Sequence, residues 1–309
     1  MHASLLVITV MIVGCATLEP GLKPHAFSDL PERVEIPNGP FHPQEEYQCG
    51  PATLAMALNW SGIFVMPDEL VSQVYVPAKK GTLQVEMVGA ARRYGRLAYT
   101  IDGLEDLLLE LSAGHPVIVL QNLTFNWAPT WHYALVVGYD RKSGAVIMNS
   151  GKTRRYFSDW TVFINTWERG LFWGLLVLPP GSMPESASEA SYLESALGLE
   201  QVENWTAASS AYAAALERWP DSLGALMGEG NSLYALGDLT GAEKAFRRAS
   251  MVAPGNGATH NNLAHVLAER GHYEAALESV DRAIQSGGRQ RQVFEQTRKE
   301  IKNKMRQVE

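Results

Sequence analysis

The sequence predicts two folded domains: an α+β domain over residues 35–180 and an all-α domain over residues 189–290. In the first, helical patterns come early and β-rich runs follow, which is typical of an α+β fold with a mostly antiparallel sheet. In the second, Ala-rich helical sequence repeats with a period of 34 residues. A length of 309 residues agrees with about two domains.

The composition excludes several functional classes. Apolar residues make up 46% of the chain and charged residues 19%, which is ordinary for a packed globular protein. A net charge of −7 argues against nucleic acid as a partner, because nucleic-acid binding usually needs a basic surface. The chain has two cysteines, Cys15 and Cys49, too few for a disulfide framework or a cysteine-rich zinc module. We therefore expect neither a metal nor another cofactor.

The N-terminus predicts export. Residues 3–14 form an apolar run of twelve, too short for a membrane span and suited to a signal-peptide core. The run ends in Ile12-Val13-Gly14-Cys15, which resembles the bacterial lipobox, so residues 1–15 are interpreted as a lipoprotein signal peptide. The resemblance implies acylation of Cys15 and anchoring in an outer membrane, facing the periplasm. An ordinary signal peptide with an incidental cysteine is the alternative, and the n-region, Met1-His2, lacks Lys and Arg.

Each segment that follows has its own sequence signal. Residues 16–34 contain three prolines and read as a tether. Pro51 fits the first turn of a helix that begins at Cys49. Two further helices are predicted over residues 83–95 and 103–114. The β-rich runs are Pro116–Gln121, His132–Gly138, Gly144–Asn149 and Leu171–Leu178.

Cys49 and His132 form the candidate catalytic pair. Cys49 stands where a helix begins, a position that lowers the pKa of a thiol and favours the nucleophilic thiolate. His132 starts an apolar strand, next to residues 122–131, which we expect to form one wall of a cleft. Strand ends beside loops commonly carry catalytic residues. The structural alternative is a buried cysteine and a strand histidine whose hydrogen bonds are satisfied.

Two more side chains complete the candidate site. Asn149 ends the next strand, 17 residues after His132, and is the candidate that orients the imidazole in a papain-type Cys–His–Asn arrangement. Ser150 and Asp159 are alternatives for this role, and a plain turn residue is another interpretation of Asn149. Gln44 and the Cys49 backbone N–H are the candidate oxyanion donors.

These residues also carry a family resemblance. Residues 43–56, 131–139 and 147–150 resemble the double-glycine leader peptidase domains of bacteriocin exporters, which are papain-fold cysteine proteases. The resemblance runs over roughly residues 35–180. It implies that Cys49 is the nucleophile, His132 the base and Gln44 the oxyanion donor. The family usually has Asp-Pro where this chain has Asn149-Ser150, and neither of these side chains offers a full charge to an imidazolium.

The C-terminal part resembles tetratricopeptide repeats. Residues 181–188 are small and polar and predict a linker. Residues 189–290 divide into three repeats, and residues 291–309 predict a capping helix. In the second repeat the signature positions 8, 15, 20, 24, 27 and 32 hold Gly230, Gly237, Ala242, Phe246, Ala249 and Pro254. The resemblance implies a concave groove that binds peptides or proteins, with a purely structural appendage as the alternative.

Taken together, these patterns predict a papain-like cysteine peptidase domain followed by an all-α tetratricopeptide repeat domain. The predicted protein is a lipid-anchored periplasmic enzyme that hydrolyses peptide bonds and holds a protein partner through its repeats. Two alternatives stay open. One is a non-catalytic, peptide-binding scaffold lipoprotein, and the other is a thiol acyltransferase that uses the same acyl-enzyme.

Overall fold

A computed structural model describes residues 29–37, 39–44 and 48–308. Cys15, the predicted signal peptide and residues 16–28 of the predicted tether lie outside these ranges. In the described part of the chain, no helix is both long and apolar enough to cross a bilayer.

The first domain contains helices and an antiparallel sheet, as the sequence predicts. The helices are α1 (Cys49–Trp60), α2 (Pro67–Val74), α3 (Gln84–Arg93), α4 (Leu104–Ser112) and α5 (Trp160–Glu168). The strands are β1 (Arg33–Glu35), β2 (Tyr75–Val76), β3 (Gly81–Thr82), β4 (Leu97–Ile101), β5 (Val117–Asn122), β6 (Trp131–Asp140), β7 (Ala145–Ser150), β8 (Thr153–Asp159) and β9 (Gly174–Leu178).

The main sheet has the order β4-β9-β5-β6-β7-β8, and β1 pairs with the far end of β6. Side chains alternate between its two faces. Leu135 and Ile147 pack on the face covered by α1, α2 and α3. Val136 and Met148 pack on the opposite face, with Trp167 of α5. The sheet is therefore covered on both sides, and β6 lies in its middle.

The hairpin of β2 and β3 is separate from the main sheet. Tyr75 pairs with Thr82, and Pro77–Lys79 form a short 3₁₀ turn between the strands. The hairpin packs against the start of α1. It therefore stands beside the position of Cys49.

The second domain is all-α. Its helices are α6 (Glu189–Glu200), α7 (Trp205–Arg218), α8 (Leu223–Ala235), α9 (Leu239–Val252), α10 (Gly257–Glu269), α11 (Tyr273–Gln285) and α12 (Arg291–Val308). They pack as consecutive antiparallel pairs, and α12 lies on α10 and α11. Phe294 and Ile301 of α12 are buried in the same apolar cluster as Phe246 and Leu263. These packed helices confirm the fold class: an α+β domain followed by an all-α domain.

The two domains share one apolar core. A single cluster runs from Tyr99 and Leu176 of the sheet to Tyr192 of α6 and Ala208 of α7. Helix α6 packs directly against β4, the edge strand of the main sheet. The edge of the sheet is thereby covered by the repeat domain.

The connection between the domains is held by a buried carboxylate. Glu110 of α4 is fully buried, and its Oε1 accepts hydrogen bonds from the backbone N–H and the hydroxyl of Ser186, both at 2.7 Å. Its Oε2 lies 2.7 Å from Nδ1 of His115. Arg218 of α7 also donates to the carbonyl oxygen of Pro184. The predicted linker over residues 181–188 is thus bonded to both domains.

Candidate active site

Cys49 is the first residue of α1, and its thiol is partly buried. Burial raises the pKa of the Cys49 thiol above its ordinary value. Nearby backbone N–H groups, that of Tyr133 first, lower the pKa but do not cancel the rise. The expectation of a lowered pKa is therefore wrong for the resting thiol, because the loss of solvent outweighs the helix terminus.

The residue after Cys49 must be small because the β2–β3 hairpin closes over the helix start. A Cβ at Gly50 would lie 2.3 Å from Oγ1 of Thr82 and 2.5 Å from its Cβ. The hydroxyl of Tyr133 donates to the carbonyl oxygen of Thr82 at 3.2 Å. Strand β6 and the hairpin therefore hold the start of α1 between them.

His132 lies near the start of β6, one residue before Tyr133. Its Nε2 shares a hydrogen bond of 2.9 Å with Oγ of Ser150 at the end of β7. Burial lowers the pKa of His132, so the neutral imidazole is favoured. Nε2 is thus engaged with Ser150, and no hydrogen bond joins the imidazole to the Cys49 thiol among the described residues, although both side chains line the same cleft.

Asn149 makes its hydrogen bonds to other groups than the imidazole, which corrects that expectation. Its Oδ1 accepts from the backbone N–H of Arg155 at 3.1 Å, and its Nδ2 lies 3.5 Å from the carbonyl oxygen of Pro40. The reason is the alternation of side chains along a strand. Asn149 pairs with Leu135, on the α1 face, so its side chain points away from the face that carries His132 and Ser150.

Ser150 and Asp159, the two alternatives for the orienting residue, have different hydrogen-bond partners. Ser150 is the residue that bonds His132. Asp159 instead caps α5, where its Oδ1 accepts from the N–H groups of Thr161 and Val162. Strand parity was the sequence signal that could have selected Ser150 over Asn149.

Gln44 is buried beside the site, but its amide is fully engaged. Its Nε2 donates to Oγ1 of Thr53 at 2.9 Å and to the carbonyl oxygen of Tyr133 at 3.1 Å. Its Oε1 accepts from the N–H of Gly151 at 3.0 Å. An amide nitrogen has two hydrogens, so both are used. To donate to an oxyanion, Gln44 would have to exchange one of these partners.

Cys49, His132 and Gln44 line one cleft with a volume of about 1240 Å³. One wall is the β2–β3 hairpin, and another is the end of the β5–β6 loop, including Pro129 and Trp131. The turn between α5 and β9 closes a third side. The predicted contribution of residues 122–131 to a cleft wall thus agrees with the structure.

This cleft, with a cysteine at a helix start and a histidine on a central strand, belongs to a part of the chain with known relatives. Residues 36–170 match the Peptidase_C39 like family. This segment is a C39-like peptidase domain. Two overlapping segments of the second domain, residues 193–258 and 233–294, match tetratricopeptide repeat families. No curated protein matches the chain significantly.

Solved structures resemble each domain separately. A Bacillus anthracis protein described as a C39-like peptidase is 19% identical, with a TM-score of 0.41, covering 48% of this chain and 98% of that one. The peptidase domain of Streptococcus ComA, a bifunctional ABC transporter involved in quorum sensing, is 21% identical, with a TM-score of 0.38 and coverages of 46% and 99%. The TPR2B domain of yeast Sti1, in a complex with an Hsp70 peptide, is 18% identical, with a TM-score of 0.35 and coverages of 36% and 97%.

The C39-like domain offers thiol chemistry and acid–base chemistry. A cysteine and an imidazole in one cleft can form and hydrolyse a thioester. Among the residues that the structure describes, no group of three or more His, Cys, Asp or Glu is placed to hold a metal ion.

Proposed function

We propose that the protein is a cysteine peptidase that hydrolyses peptide bonds in the cleft of its C39-like domain. The observation that carries the proposal is that His132, which is hydrogen-bonded to Ser150, lines the same cleft as Cys49. In this proposal Cys49 is the nucleophile, His132 the general acid and base, and Ser150 the residue that orients the imidazole.

The reaction proceeds in two acyl-transfer steps. The Cys49 thiol gives its proton to Nδ1 of His132 while the sulfur bonds to the peptide carbonyl carbon. The Cys49 backbone N–H stabilises the oxyanion. The imidazolium then protonates the leaving amine as the C–N bond breaks, which leaves a thioester. In the second step His132 removes a proton from water as its oxygen bonds to the thioester carbonyl carbon. The C–S bond then breaks, the carboxylic acid product leaves, and the imidazolium returns its proton to the Cys49 sulfur.

The resting pair is neutral in this scheme. Burial raises the pKa of Cys49 and lowers the pKa of His132, and both shifts disfavour a thiolate–imidazolium pair. Proton transfer therefore accompanies the attack on the carbonyl. The scheme uses the tautomer in which Nε2 carries the hydrogen and donates it to the hydroxyl of Ser150, so that the lone pair of Nδ1 accepts the thiol proton.

A non-catalytic, peptide-binding protein is the second candidate. Two observations favour it: Ser150 carries no charge to stabilise an imidazolium, and both amide hydrogens of Gln44 are bonded within the protein. In that case the cleft would bind an extended peptide without cleaving it.

The proposal extends to the location and the partner of the protein. We propose acylation of Cys15 and anchoring at the periplasmic face of an outer membrane, supported by the lipobox-like sequence at residues 12–15. We also propose that the repeat domain binds a protein or a peptide. Its support is the tetratricopeptide match over residues 193–294.

The catalytic proposal is tested on the full chain carrying Cys15→Ser, in which Cys49 is the single thiol. Release of fragments from a mixed peptide library is measured by mass spectrometry for this protein and for its Cys49→Ala, His132→Ala and His272→Ala variants. We expect cleavage that Cys49→Ala abolishes and His132→Ala lowers by about 10²–10⁴-fold. His272 is exposed at the start of α11, so its substitution is the matched control.

The alkylation of Cys49 by iodoacetamide separates the two candidates. In a peptidase, His132→Ala slows alkylation at neutral pH and His272→Ala does not. If peptides bind without being cleaved and alkylation is the same with and without His132, the peptidase proposal is overturned in favour of the binding protein.

A further inference from the structure

The walls of the cleft carry positive charge from three separate segments. Lys79 and Lys80 lie at the turn of the β2–β3 hairpin, Lys152 follows β7, and Arg169 follows α5. None of the described residues that line the cleft is acidic; Glu45 and Glu46, which follow Gln44 in the sequence, lie outside the described ranges. The chain as a whole has a net charge of −7. The charge of the described lining residues is thus opposite in sign to the net charge of the chain.

None of these four cations forms an ion pair with a described residue. In the described part of the chain, the ion pairs involve other residues, such as Arg155 with Glu35 and Arg270 with Glu243. Arg169 donates one hydrogen bond, to the carbonyl oxygen of Asn122, which fixes its position without neutralising it. Lys79, Lys80 and Lys152 are exposed. Their positive charges are therefore available to a ligand in the cleft.

We infer that the cleft selects peptide segments with acidic side chains next to the bond presented to Cys49. That the ligand is a peptide rests on the proposed function. The new element is that the peptide carries negative charge. Carboxylates would pair with cations on each side of the catalytic residues. A cleft lined by one sign of charge also concentrates ligands of the opposite sign, and the effect weakens as salt increases.

The electrostatic potential at Cys49 can be probed without a substrate. The full chain carrying Cys15→Ser is alkylated with iodoacetate, which is anionic, and with iodoacetamide, which is neutral and of similar size. The ratio of the two rate constants is compared with the ratio for a short neutral peptide that contains one cysteine. We expect the protein to favour iodoacetate by about threefold to tenfold over the peptide at low salt, and the difference to disappear near 1 M salt.

Charge reversal identifies the residues responsible. The double substitution Lys79→Glu with Lys80→Glu, and separately Lys152→Glu, should lower the iodoacetate preference, by up to about fivefold for each reversed charge. Lys142→Glu is the matched control. Lys142 is exposed just beyond the other end of β6, roughly 30 Å from His132 at the rise of a β-strand. An iodoacetate preference that is absent, or that all variants lower equally, overturns the inference.

Peptide binding gives a readout that does not depend on catalysis. Fluorescein-labelled peptides that differ only in Asp, Asn or Lys at two positions are titrated into the full chain carrying Cys15→Ser and Cys49→Ala. The inference requires the order Asp above Asn above Lys in affinity, and a loss of this order in the Lys79→Glu and Lys80→Glu background. Equal affinities overturn it. Binding that follows this order without any cleavage by the Cys49 protein would leave the charge selection intact and remove only the peptidase proposal.

Discussion

Nε2 of His132 and Oγ of Ser150 lie 2.9 Å apart, across two neighbouring strands of the sheet. The two side chains share a face because Ser150 is adjacent in sequence to Asn149, which points to the opposite face. A hydroxyl orients the imidazole but contributes no charge. This relationship determines how the site should respond to pH and to substitution.

A carboxylate at position 150 should change the charge state of the pair. Ser150→Asp places an anion beside His132, which raises the pKa of the imidazole and favours the imidazolium–thiolate pair. We expect the pH midpoint for alkylation of Cys49 to fall by about one unit. Ser150→Asn, which keeps a hydrogen-bonding group without the charge, is the control. Coincident profiles for the Asp and Asn variants would contradict the prediction.

The pH dependence of cleavage by the unsubstituted protein follows from His132. Burial holds its pKa below the ordinary value of 6.5. The general base is the neutral imidazole, which is present above that pKa and lost as the pH falls through it. We expect kcat/KM to decline only at pH values below 6.5, with the decline absent between pH 7 and pH 8. A profile that already falls below pH 7.5 would be inconsistent with this environment.

The junction between the domains should be sensitive to Glu110. Glu110→Gln removes the charge that accepts two hydrogen bonds from Ser186 and contacts His115. We expect the free energy of unfolding to fall by about 1–3 kcal/mol, measured by urea denaturation. Glu105→Gln is the control, because Glu105 is exposed on the same helix. Equal effects of the two substitutions would show that the buried contacts do not stabilise the junction.

The proposed lipid anchor predicts that removing Cys15 moves the protein from the membrane fraction to the soluble fraction. Cys15→Ser removes the thiol that would carry the lipid, and an unacylated chain has no stable hold on a bilayer. In a bacterial host with a lipoprotein pathway, we expect the unsubstituted chain in the outer-membrane fraction and the variant in the soluble periplasmic fraction. Cys49→Ser, which alters the other cysteine, should stay with the membrane. Membrane association that survives Cys15→Ser would exclude this anchor.

The sequence predicted the elements of the fold better than the details of the site. The start of α1 at Cys49 and the strand that begins near His132 follow from local signals, namely Pro51 at a first helical turn and a run of apolar residues. The short helix α2 has a comparable signal, Pro67 in its first turn, and was missed, whereas the β2–β3 hairpin had none. The hairpin is defined by its packing on Gly50, a contact between residues distant in sequence.

The errors at the site have physical causes. Asn149 was preferred over Ser150 because its amide resembles a papain-type orienting group, whereas strand parity decides which side chain reaches His132. The pKa of Cys49 was expected to fall because only the helix terminus is visible in the sequence. Burial by Thr82 and Tyr133 depends on the tertiary fold, and it acts in the opposite direction.

The continuous core between Tyr99 and Tyr192 has a consequence for any partner held by the repeats. When two binding sites are joined by a flexible linker, the distance between them varies, and a bivalent ligand can engage both over a range of spacings. Here the span from the repeat helices to Cys49 is set by packed side chains, so a single molecule that occupies both must match one distance and one direction. The protein would therefore discriminate among partners by the spacing of their recognised segments as well as by their chemistry.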